Sequence, residues 1–88
     1  MTKQIDIYVK DTCSYCVRAQ MLLEKRNVNF NRIDVTNDVK EFDRMVARAQ
    51  GKLTVPQIFV GTFHIGGCDD LSMMARADFM ALLNEDAA

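Results

Sequence analysis

Apolar and polar residues alternate from Ile5 to Val9 (Ile-Asp-Ile-Tyr-Val), the period-two signature of a strand, with Ile5, Ile7 and Val9 on one face and Tyr8 on the other. Apolar residues on both faces predict a strand that is covered on both sides. After the loop Lys10-Asp11-Thr12 the period changes. Cys16, Ala19 and Leu23 fall at i, i+3 and i+7 with Leu22 beside them, so a helix begins near residue 13 and buries that stripe. Thr12 is its expected N-cap and Asn27 its expected stop. Phe30 to Val35 reads as a second strand whose polar content suits an edge. Asp38 with Glu41 forms a capping pair for a second helix, along which Val39, Phe42, Val46 and Ala49 repeat at helical spacing, with Met45 as core filler near the stripe. Gly51 ends it.

The second half of the chain is richer in β signals. Pro56, the only proline, stands directly before Gln57-Ile58-Phe59-Val60 and either opens an edge strand or holds a cis peptide bond. In both cases Val55 is extended, which leaves its N–H and C=O free to pair with an extended peptide. Val60-Gly61-Thr62-Phe63 fits a two-residue hairpin with glycine first, and Phe63 to Ile65 is the returning strand. Gly66-Gly67-Cys68-Asp69-Asp70-Leu71 opens a helix with two acids in its first turn, and backbone amides beside an Asp carboxylate suit a zwitterion. A final short helix over Asp78 to Leu83 covers the sheet, and Glu85 to Ala88 reads as a frayed end.

Length and charge narrow the function. Eighty-eight residues predict a single domain, 1–88, with one small core, so a ligand is bound by loops and strand ends. A net charge of −1 with both signs mixed along the chain argues against nucleic acid or a membrane surface as partner. No apolar run approaches the ~20 residues of a bilayer span, nothing at the N-terminus resembles a signal peptide, and the expected location is cytoplasmic.

The chemistry lies in Cys13-Ser14-Tyr15-Cys16. Two thiols one helical turn apart close a disulfide without unfolding anything, and the outer one meets the unsatisfied N–H groups of the helix start. Cys16 shares the buried stripe and Cys13 the exposed tip, which makes Cys13 the candidate nucleophile and Cys16 the resolving thiol. Lowering a free-thiol pKa of about 8.5 by three units takes roughly 4 kcal/mol, whereas a helix dipole supplies only about 0.3–1 kcal/mol. Direct N–H bonds, Cys16 and the Lys10 charge must provide the rest. A competing reading takes Cys13, Cys16, His64 and Cys68 as a zinc set. Against it, Cys68 reads as a small apolar residue in a tight turn.

The strand-to-helix CxxC, the Thr54-Val55-Pro56 turn and the Gly66-Gly67-Cys68-Asp69-Asp70 helix start, in this order, resemble the glutaredoxin family over nearly the whole chain. The resemblance implies an α/β, thioredoxin-like fold with a four-stranded mixed sheet flanked by helices, in the order βαβα-ββα. It implies a glutathione-dependent thiol–disulfide oxidoreductase acting on disulfide-containing or glutathionylated proteins, through Cys13 and Cys16. Glutathione would pair with Val55 in front of a cis Pro56. Its glycyl carboxylate would meet Lys10 and Arg48, its γ-glutamyl end would meet Cys68 and Asp69 after Gly67, and Tyr15 and Thr54 would line the groove. Ser14 departs from the family's common proline, restoring an N–H and a hydroxyl that can bond the Cys13 thiolate. Some relatives lacking that proline bridge a [2Fe–2S] cluster between two monomers through the first cysteine and glutathione, so a cluster-bridged dimer stands as a secondary reading beside the expected monomer.

Overall fold

The expected two-sided burial of the first strand sets the architecture of the computed structural model, which describes residues 2–84. The end expected to fray, 85–88, lies outside them. Strand β1 (Ile5–Val9) is central: it pairs in parallel with β2 (Asn31–Asp34) and antiparallel with β3 (Gln57–Val60), and β3 pairs antiparallel with β4 (Phe63–Gly66). The mixed sheet thus has the order β2-β1-β3-β4. β2 takes the edge its polar composition predicted.

Side-chain alternation splits the core in two. Ile5, Ile7 and Val9 join Ile58 and Val60 beneath α1 (Ser14–Lys25), α3 (Cys68–Met73) and α4 (Arg76–Leu83), from which Cys16, Ala19, Leu23, Leu71, Phe79 and Leu83 are buried. Tyr8 and Phe59 face the other way, against Met45 and Ala49 of α2 (Val39–Arg48) and its cap. Fully buried side chains such as Leu23 contribute roughly 2–5 kcal/mol each, judged by truncation to alanine. The α2 stripe differs from expectation. Met45 is fully buried, as a core filler should be, but Val39, in the first turn, is 74% exposed and does not share the buried stripe.

Positive φ marks the chain reversals. Asn27 (φ 61) ends α1, Gln50 and Gly51 (φ 56 and 93) end α2, and Gly61 (φ 59) makes the glycine-first hairpin. Opposite Ile58 and Phe59, β4 carries an extra residue, Ile65, and this bulge turns the chain into Gly66 (φ 119) and α3. The two C-terminal helical segments are separate helices, since Met74 and Ala75 are extended.

Two arginines lock these layers. Arg26, 7% exposed at the end of α1, donates through Nη2 to Leu71 O (3.3 Å) and Met74 O (2.7 Å) at the end of α3 and stacks over Phe79. Arg48 donates through Nη1 to Asp6 Oδ2 (3.1 Å) and the Tyr8 hydroxyl (2.9 Å), and through Nη2 to Gly61 O (3.2 Å). Its guanidinium lies 4.1 Å from the Phe59 ring centroid. Burial pushes the Asp6 carboxyl up, but hydrogen bonds from Gln4, Asn31 and Arg48 and the Arg48 charge outweigh it and hold the group below 3.8. A depressed carboxyl stabilises the fold above its unfolded value, and that contribution is lost as pH falls through the folded value. Urea titration of Arg48→Met is expected to show a loss of about 2 kcal/mol at neutral pH, shrinking below about pH 3.8 as Asp6 protonates. A loss that does not change with acid would contradict the Asp6 pairing.

Candidate active site

β1 delivers the chain to a tight loop. Thr12 adopts a left-handed φ of 55° and its hydroxyl donates to Asp11 O (2.6 Å), so it does not cap the helix as expected. Cys13 is the cap. Its Sγ accepts the Cys16 N–H at 3.1 Å while its backbone is extended (φ −108°, ψ 105°), a sulfur in the place where a hydroxyl or carboxylate oxygen usually sits. The loop is braced from β2: Asp11 N–H donates to Thr36 Oγ1 (2.9 Å), which donates to Asp34 Oδ1 (2.6 Å). Hydrogen bonds from Thr36 hold the Asp34 carboxyl below its ordinary value.

Cys13 and Cys16 are joined as a disulfide, with Cα atoms 5.2 Å apart. They are not equivalent: Cys13 is half-buried at the tip of α1, and Cys16 is 1% exposed within the core stripe. Attack from outside therefore meets Cys13 first. Ser14 is exposed at the first position of α1, and its hydroxyl makes no hydrogen bond among the described residues, so the donor to Cys13 is the Cys16 amide rather than serine.

The turn beside the dithiol comes next. The Val55–Pro56 peptide bond is cis, and Val55 O lies 3.9 Å from Cys13 Sγ. Val55 packs against both cores and precedes the β1–β3 ladder, and its N–H has no hydrogen-bond partner among the described residues. On this side a cleft of about 180 Å³ is lined by Tyr15, Pro56, Gly67, Cys68 and Asp69. Asp70 accepts the Gly67 N–H (2.9 Å), which leaves Asp69, exposed, as the carboxylate facing outward. A second cleft of about 400 Å³ opens on the other side of the dithiol between Lys10, Cys13, Cys16, Gln20 and Arg32. Tyr15 is exposed beneath the Arg18 guanidinium, and Thr54 adjoins Val55.

The predicted site residues thus fall on two sides of the dithiol: Tyr15, Pro56, Gly67, Cys68 and Asp69 line one cleft, with Val55 O near Cys13 and Thr54 next to it, and Lys10 lines the other. Arg48 lines neither. It is spent on Asp6, Tyr8 and Gly61, at the end of β1 away from the dithiol, because burial against Phe59 gives its guanidinium a complete set of acceptors there. Lys10 leans over the Phe42 ring, 5.0 Å from its centroid. Cys68 packs against the core, and burial together with the Asp69 charge pushes its thiol up, so it is a poor nucleophile. His64 lies on the α2 face, stacked on Phe59 and bonded to Gln57, and no group of three or more His, Cys, Asp or Glu is placed for a metal ion among the described residues. Sequence reasoning missed Gln57. Its signal was a polar residue at an apolar position in a buried strand.

Comparison with known proteins places the chain in a family. The family model described as Glutaredoxin matches residues 5–65. The chain belongs to the glutaredoxin family. Glutaredoxin 3 of Escherichia coli K12 is 45% identical over 80 residues, covering 90% of this chain and 95% of that protein. Glutaredoxin 1 of Rickettsia prowazekii is 46% identical over 68 residues, covering 76% of this chain and 72% of that protein. Among solved structures, glutaredoxin from Brucella melitensis superposes with a TM-score of 0.78 at 34% identity, over 99% of this chain and 96% of that one. The buckwheat glutaredoxin–glutathione complex gives 0.79 at 28% identity, over 94% of this chain and 78% of that one. Glutaredoxins are thiol oxidoreductases with the thioredoxin fold, and this member carries their redox-active pair as Cys13 and Cys16.

The single histidine offers a clean titration. Burial lowers the His64 pKa from 6.5, the Lys52 charge lowers it further, and Arg48 adds to both against Asp70. A depressed histidine stabilises the fold above the unfolded value, and this is lost as pH falls through the folded one. The imidazole C2 proton is expected to titrate with a midpoint below 6.5, with stability falling on the acid side of about pH 6.5; a midpoint at or above 6.5 would contradict the packing described for His64.

Proposed function

We propose that this glutaredoxin uses glutathione to reduce protein–glutathione mixed disulfides and protein disulfides, in a reducing compartment such as the cytoplasm. The observation that carries this is Cys13 Sγ at the exposed helix tip, bonded to a backbone N–H, with its partner sulfur buried behind it. An N–H that already points at sulfur favours the thiolate, which is both nucleophile and leaving group. The Cys13 thiolate attacks the glutathione sulfur of a mixed disulfide: a Cys13–glutathione bond forms and the protein thiolate leaves. A second glutathione thiolate then attacks the glutathione sulfur on Cys13, giving oxidised glutathione and restoring the Cys13 thiolate. With a protein disulfide, Cys13 first forms a mixed disulfide with the target. Cys16 displaces the reduced target from Cys13, and the resulting Cys13–Cys16 disulfide is reduced by two glutathiones.

The groove supports glutathione as the reductant by its chemistry. An extended tripeptide pairs with the free N–H of Val55, and its ammonium and α-carboxylate suit the Asp69 side chain and the amides at Cys68. With Arg48 engaged elsewhere, the glycyl carboxylate falls to Lys10 and to Lys52, which stands two residues before Thr54 and whose charge acts on His64. The complex of buckwheat glutaredoxin with glutathione supports the same reading.

Turnover of a glutathionylated peptide, coupled to glutathione reductase and NADPH, tests it. Cys13→Ser is expected to abolish both reactions, and Cys16→Ser to keep deglutathionylation while losing disulfide reduction. Asp69→Asn is expected to raise KM for the glutathionylated peptide roughly tenfold. Loss of deglutathionylation in Cys16→Ser would sink the division of labour between the thiols. A brown, glutathione-requiring dimer without turnover would replace this reading with the [2Fe–2S] one.

A further inference from the structure

Leu53 to Pro56 has no backbone–backbone hydrogen bond among the described residues, since the β1–β3 ladder begins at Gln57 and the turn after α2 closes at Lys52. What ties this segment down is a side chain. Gln57, 2% exposed, donates through Nε2 to Thr54 O (3.0 Å) and Thr54 Oγ1 (3.3 Å). A carbonyl oxygen accepts only, so the amide nitrogen must face Thr54 and Oε1 must face the opposite way, toward His64 Nε2 at 2.6 Å. The imidazole hydrogen therefore sits on Nε2, and the ring titrates at Nδ1. This chain of bonds keeps its donors and acceptors in order whether His64 is neutral or charged. The ring is itself held at 4.7 Å from the Phe59 ring centroid, nearly parallel to it. Lys52, Asp70 and Arg48 are the charged groups that act on it.

We infer that Gln57, oriented by His64, is the positioning residue that presents the Thr54–Val55 edge to a glutathione-containing substrate. The inference rests on the proposed function of the same site. A buried amide is costly unless its hydrogen bonds are made, and at this position they are made to a segment that has no backbone–backbone hydrogen bond of its own among the described residues. Pairing with a preformed edge requires no ordering of that edge on binding, so loss of the chain acts on substrate binding rather than on the sulfur chemistry.

Wild-type turnover of a glutathionylated peptide comes first, because its absence refutes the proposed function and not the role of Gln57. In Gln57→Leu, KM for that peptide is expected to rise about tenfold with kcat within about twofold of wild type, and His64→Phe, which keeps the stack on Phe59, to show a smaller rise in the same direction. The Cys13 thiolate titration, followed by absorbance, should be unchanged. Backbone NMR order parameters of Thr54 and Val55 in the substrate-free protein should fall in both variants, a readout independent of activity. Unchanged KM and order parameters in either folded variant would overturn the inference, as would a fall in kcat at constant KM. If Gln57→Leu does not fold, His64→Phe alone decides between these outcomes.

Discussion

A single hydrogen bond, from the Cys16 amide to the Cys13 sulfur, is the contact on which the rest of the molecule depends. It places the reactive atom where a helix start would otherwise require a capping oxygen, so the first turn of α1 and the nucleophile stabilise each other. The left-handed Thr12 aims the sulfur, the Thr36–Asp34 brace holds the loop, and the buried stripe of α1 keeps Cys16 within one turn of it. A helix dipole alone contributes too little to make a thiolate at neutral pH, whereas a direct N–H···S bond acts at contact distance.

Around that contact the sheet does two jobs. Its α1 face carries the aliphatic core that fixes the dithiol, and its α2 face carries the polar and aromatic side chains Tyr8, Gln57, Phe59 and His64, with Arg48 among them. Arg26 and Arg48 act as internal ties rather than as ligands for anions. Each satisfies backbone carbonyls that helix ends and turns leave open, Leu71 and Met74 for Arg26 and Gly61 for Arg48. Beside the dithiol that leaves Lys10 in one cleft and Asp69 with free backbone groups in the other.

How much of this could be read in the sequence depended on whether the signal was local. The alternation of β1, the Cys16-Ala19-Leu23 stripe, the asymmetry of the two thiols and the turn before β3 are properties of adjacent residues, and the structure shows all of them. Arg48 was misplaced because its position on the last turn of α2 does not say which carboxylate lies across the sheet, and Asp6 is far from it in sequence. Thr12 was misassigned because propensity ranks a hydroxyl above a thiol as a cap, and the rank ignores that the chain must turn through a positive φ there. Met45 is buried as expected, and Val39 alone leaves the stripe, since helical periodicity does not say at which residue contact with the sheet begins. Gln57 and His64 were legible only as a polar residue out of pattern and a lone histidine; their pairing needed the β3–β4 register.

Limited alkylation distinguishes the two thiols by their reactivity. The reduced protein would be treated with less than one equivalent of iodoacetamide at about pH 6, where only a thiolate-prone sulfur reacts, and the label mapped by mass spectrometry. The label is expected on Cys13. Labelling of Cys16 or Cys68, or an even spread over the three cysteines, would contradict it.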